Sequence, residues 1–82
     1  MVTPDQIKQL IEAGLPGAEA RVAGDDGTHF EAIVISPDFA GRSILVQHRM
    51  VYATLGARMG TDIHALSLRT LTPEQAAQQG LR

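Results

Sequence analysis

The stretch THFEAIVISPDFAGRSILVQHRMVYATLGARMGTDIHALSLRT, residues 28–70, decides the fold. Its first eight residues are rich in β-branched and aromatic types, which fit a strand. Its last eight, IHALSLRT at 63–70, alternate with period two and predict a second strand. Between them Ser36-Pro37-Asp38 ends the first strand. A turn through Gly41 then leads to Ser43, which is suited to cap a helix over 44–58. Ile44, Val51 and Leu55, with His48 and Tyr52 beside them, form that helix's expected inner stripe, and Gly56 and Gly60 bracket its end. A crossover of this length lets the two strands lie side by side and parallel.

Upstream, residues 18–23 (AEARVA) alternate weakly, and GDDG at 24–27 supplies a turn, so that residues 18–35 read as a hairpin. Before it, Thr3, Pro4 and Gln6 read as N-cap, first helical position and capping-box partner. The helix that follows carries Ile7, Leu10 and Ile11 on one face and stops at Gly14. Downstream, Thr72-Pro73-Glu74 opens a short polar helix, and the tail after Ala77 is expected to fray. The predicted class is α+β, in the order α-β-β-α-β-α, with a three-stranded mixed sheet and a type II KH-like arrangement. The 82 residues are read as one domain, since so short a chain buries only about 60% of its unfolded surface and cannot cover two cores.

Composition narrows the chemistry. Hydrophobic residues make up 44% of the chain, with two Phe, one Tyr and no Trp, so the core must be aliphatic. Cysteine is absent, which removes disulfides, thiolate nucleophiles and any self-contained thiolate metal site. No apolar run approaches the roughly 20 residues that span a bilayer, and the N-terminus MVTPDQIKQL lacks the pattern of a secretory signal, so a cytoplasmic location without membrane contact is expected. A net charge of −2 lowers the expectation of nucleic-acid binding while leaving room for a local basic patch. Ser43 and Ser67 are explained as a cap and a strand residue. Asp25 and Asp26 read as turn formers in a glycine-bounded loop, so enzymatic activity is not expected. GDDG formally matches the GXXG loop of KH domains, but it joins two strands rather than two helices and offers carboxylates to an anion.

Three histidines remain: His29 just inside the second strand, His48 in the long helix, and His64 just inside the third strand. Taken singly, each reads as a solvated or packed side chain. As a pair on neighbouring parallel strands, His29 and His64 occupy matching positions at one end of the sheet, where strands are separated by about 4.8 Å. Two neutral imidazoles suit zinc, copper or iron, but two protein ligands leave a tetrahedral metal unfinished. Rieske centres show that two histidines can hold one iron of a [2Fe–2S] cluster while thiolates hold the other. A chain without cysteine would then need a partner that brings sulfur. His48, beside the buried stripe, reads as a packing residue or a possible third ligand. The Gly41 turn and the helix bearing Arg42, Gln47, Arg49 and Arg58 offer an alternative: a helix-turn-helix-like surface for DNA.

The segment FAGRSILVQHRMVYATL at 39–55 resembles the signature of the BolA family: a Phe, a Gly, a basic residue and a Ser lead into a helix with a central histidine and a Val-Tyr pair. IHALSLRTLTPEQ at 63–75 is similar to the family's ending and puts His64 at its C-terminal histidine. THF at 28–30 resembles the kind that carries histidine in the loop between the first two strands. Gln47 departs from the family's usual Arg before the central histidine. The resemblance covers roughly residues 3–75. It implies a complex with a monothiol glutaredoxin, in which that partner's cysteine and a glutathione thiol hold one side of a [2Fe–2S] cluster and this chain offers His64 and His29 to the other. Iron–sulfur trafficking or iron sensing is the implied role, with DNA as an alternative partner. The isolated chain is expected to hold no cofactor and to be a monomer or weak homodimer.

Overall fold

The computed structural model describes residues 2–82; Met1 lies outside them. Helix α1 (Pro4–Gly14) is followed by strands β1 (Glu19–Ala23) and β2 (His29–Ile35). A three-residue 3-10 turn (Pro37–Phe39) leads to α2 (Ile44–Leu55), and a second such turn (Gly56–Arg58) leads to β3 (Ala65–Leu71) and α3 (Pro73–Gln78). The α-β-β-α-β-α order and α+β class are as the sequence predicts, and the KH-like description is compatible with that order. Capping chemistry fixes the helix starts. Thr3 with Gln6, and Thr72 with Gln75, form reciprocal capping boxes, while the Ser43 hydroxyl accepts the Val46 amide.

The sheet order is β1-β2-β3, with β1 antiparallel and β3 parallel to β2. Register pairs His29 with Ala65, Phe30 with Leu66 and Ile35 with Leu71. Pleating sends Phe30, Ala32 and Val34 to one face, where they meet Ile7 and Ile11 of α1, Val51 and Leu55 of α2, Phe39 and Ile63. Each such fully buried side chain contributes about 1.5–3 kcal/mol. On the opposite face Ile35, Leu71 and Ala76 of α3 make a smaller cluster that covers only the far end of the strands. Among the described residues no helix lies over the near end of that face, where His29 is.

Three details differ from the sequence reading. Helix α2 stops at Leu55 rather than residue 58, because Gly56 takes φ +55° and breaks the helix into a tighter turn. The stripe begins at Gln47 instead of Ile44, which is 60% exposed, because the helix's first turn lies beyond its covered part. Strand β3 begins at Ala65, not Ile63. Ile63 spends its backbone on a turn, donating to Arg58 O at 2.9 Å and accepting from Gly60 N at 2.9 Å, while its side chain is fully buried. Beyond Ala77, where fraying is expected, the Leu81 amide donates to Ala76 O at 2.8 Å, and its carbonyl accepts from the Arg21 guanidinium.

A candidate half-site of two histidines

Parallel pairing brings the starts of β2 and β3 together, and the rings of His29 and His64 stand there with centroids 5.7 Å apart and planes at 87°. Edge-to-face contact is a favoured geometry for π-systems. Two imidazoles on one tetrahedral ion place their centroids roughly 5 Å apart, given metal–nitrogen bonds near 2.1 Å, a separation close to the one observed. Among the described residues no group of three or more His, Cys, Asp or Glu side chains could hold a metal ion. The two imidazoles thus stand as a pair, with no third such group completing them among the described residues.

The two histidines are held differently. His64 lies one residue before the ladder, between the buried Ile63 and the first paired residue Ala65, whose amide donates to Thr28 O at 3.1 Å. Its backbone is thus pinned on both sides while its side chain is exposed. His29 opens β2 and is fixed by the preceding turn. Asp26 Oδ1 accepts the backbone amides of Thr28 at 2.9 Å and His29 at 2.8 Å, and Asp26 Oδ2 lies 2.8 Å from His29 Nδ1. Thr28 Oγ1 approaches the same nitrogen at 2.9 Å. The His29 amide above all, then the Thr28 amide and the His29 ring, hold the Asp26 carboxyl well below the usual carboxylate range. Gly24 closes the turn. A Cβ there would stand 2.7 Å from His29 O and 2.8 Å from the Phe30 ring, so only glycine allows β1 to approach so closely.

Asp26 is the residue the sequence reading missed. The sequence marks it as a turn former, which its Oδ1 performs, whereas its Oδ2 reaches the imidazole. The available signal was its spacing of three residues before His29, the distance over which an Asp side chain folds back on the following turn.

The other candidates do not join this pair. His48 sits half-buried in the middle of α2 and takes no part in the ring contact. Gln47 is 5% exposed. Its Nε2 donates to Phe39 O at 3.1 Å and Arg42 O at 2.9 Å, and its Oε1 accepts from Thr70 Oγ1 at 2.6 Å. It is a buried strut between the Gly41 turn, α2 and β3, removed from any surface that it was expected to share with the arginines. Arg42, Arg49 and Arg58 are exposed, and Arg42 Nε donates to Asp38 O at 3.0 Å. Ahead of Gly41 there is one 3-10 turn, shorter than the first helix of a helix-turn-helix. No helix among the described residues is long and apolar enough to cross a membrane.

A family model described as BolA-like protein matches residues 13–75. The chain is similar to protein BOLA2 of Arabidopsis thaliana, 38% identical over 79 residues that cover 92% of this chain and 84% of that one. It is also similar to the DNA-binding transcriptional regulator BolA of Escherichia coli (strain K12), 42% identical over 45 residues, 55% of this chain and 43% of that one. Among solved structures, that of a BolA homologue from Coxiella burnetii superposes with a TM-score of 0.85 at 50% identity, covering 94% of this chain and 99% of that one. The chain spans less than half the length of several curated relatives that it matches.

Proposed function

The chain belongs to the BolA family, and from that membership we propose that it is a cytoplasmic adaptor, not an enzyme, that binds a monothiol glutaredoxin and gives His29 and His64 to a shared [2Fe–2S] cluster. The observation that carries this reading is the pair of exposed imidazoles 5.7 Å apart at the uncovered end of the sheet. The chain has no cysteine, so the cluster's thiolates, from the glutaredoxin and from glutathione, come from outside.

In the proposed complex this chain's residues bind and orient. The β2–β3 ladder brings the starts of the two strands together, the buried Ile63 and the bend after it turn His64 toward its neighbour, and the Asp26 turn anchors His29. When bound, the cluster would supply one-electron redox chemistry, or serve as cargo in iron–sulfur trafficking or as a signal in iron sensing. Imidazole ligation makes either use sensitive to protonation, because only the neutral ring ligates.

The test is reconstitution of the full chain with a monothiol glutaredoxin, iron, sulfide and glutathione. The expected result is a visible absorption and circular dichroism spectrum distinct from that of the glutaredoxin alone. A His29→Ala, His64→Ala double variant whose spectrum matches that of the unaltered chain would sink the assignment.

A second reading, DNA binding, draws on the name of the Escherichia coli relative and on the exposed Arg42 and Arg49. It predicts mobility shifts that persist at moderate salt and disappear in an Arg42→Ala, Arg49→Ala variant.

A further inference from the structure

We propose that Asp26 is a positioning residue that locks His29 in the tautomer able to ligate a metal through Nε2. The inference rests on the reading of His29 as a ligand, yet its physical content is a property of the metal-free chain.

The two oxygens of Asp26 do separate work. Acceptance of the Thr28 and His29 amides by Oδ1 is what a turn requires, and it accounts for that oxygen alone. Oδ2 adds nothing to the turn and faces His29 Nδ1 at 2.8 Å. An ionised carboxylate accepts hydrogen bonds and has none to donate. A lone pair on Nδ1 would therefore confront the oxygen's lone pairs at hydrogen-bond distance, and the stable arrangement has the proton on Nδ1. The Thr28 hydroxyl at 2.9 Å from the same nitrogen both donates and accepts, so it accommodates this assignment as a second acceptor. In the neutral ring the lone pair then lies on Nε2. This is the carboxylate–histidine arrangement that fixes ring orientation and raises donor strength in metal sites. His64 has no such carboxylate bonded to its ring among the described residues, so the pair combines one preset ligand with one that turns to meet the metal.

The discriminating variant is Asp26→Asn. With its amide oxygen kept on the two backbone amides, its NH2 group faces Nδ1 and donates. Nδ1 must then accept, and the proton moves to Nε2, which blocks the ligating nitrogen while the turn survives.

Long-range proton–nitrogen correlation NMR of the 15N-labelled chain, at about pH 9 where the ordinary imidazole is neutral, reads the tautomer directly. The expected result is an Nδ1–H signature for His29 in the unaltered chain and an Nε2–H signature in Asp26→Asn, with His48 unchanged. In Zn2+ titration of the isolated chain, Asp26→Asn is expected to weaken binding about 10–100-fold. An Nε2–H signature in the unaltered chain would overturn the proposal without any variant. So would equal Zn2+ affinity in the two proteins. The tautomer readout needs neither metal, glutaredoxin nor cluster, so failure there is separable from failure of the adaptor reading.

Discussion

The rings of His29 and His64 meet although their backbones are not partners: the ladder pairs His29 with Ala65, and His64 precedes that position by one residue. Were β3 to continue regularly through residue 64, pleating would send that side chain to the opposite face. The contact exists because the chain bends at His64, just after Ile63 is drawn into the core by its turn with Arg58 and Gly60.

Gly24→Ala tests how tightly the other side of the pair is held. The added methyl meets a backbone oxygen and an aromatic ring of a core residue, neither of which moves freely. We expect a loss of about 1–3 kcal/mol in urea unfolding, together with weakening of the His29–His64 ring contact in nuclear Overhauser spectra.

Gln47→Ala should cost about 2–3 kcal/mol, since it removes a packed side chain and leaves the buried Thr70 hydroxyl without its acceptor. Chemical denaturation measures this. A neutral result would show that the Gly41 turn does not need the amide that holds it to α2.

Glu12 links acid stability to the packing of α1 on β1. The Ala20 amide, and after it the Lys8 ammonium, hold its carboxyl below the ordinary range. A carboxyl whose pKa falls on folding stabilises above its unfolded pKa and loses that contribution as pH drops through the folded one. Glu12→Gln should therefore flatten the decline in unfolding midpoint between about pH 5 and pH 3, and an unchanged slope would place the acid sensitivity elsewhere.

Ile44→Ser and Leu45→Ser should leave stability within about 0.5 kcal/mol, because both side chains are 60% exposed on the free first turn of α2. Thermal melts of the two variants check this.

Much of this architecture was legible in the residues. Thr3, Ser43 and Thr72 announced their helices through capping chemistry that is local to a few positions. The long crossover between THFEAIVI and IHALSLRT fixed parallel pairing by geometry alone. What stayed hidden depended on three-dimensional neighbours. Gln47 reads as an exposed partner of arginines until Thr70 and the carbonyls of Phe39 and Arg42 are seen around it. Ile44 has the right angular position for the core and lacks only something to cover it. At the candidate site, topology brings the starts of the two strands together, whereas the bend that turns His64 toward His29 and the reach of Asp26 to an imidazole depend on the paths of two turns.

Because β2 and β3 are joined only through the whole of α2, the imidazole pair cannot form before that excursion has closed and the parallel rungs have zipped. Non-local parallel pairing of this kind is intrinsically slow, because loop-closure entropy is paid before its contacts form. Under the proposed ligand role, the pair would double as a certificate of maturity, since a misregistered or partly melted chain presents two unrelated histidines.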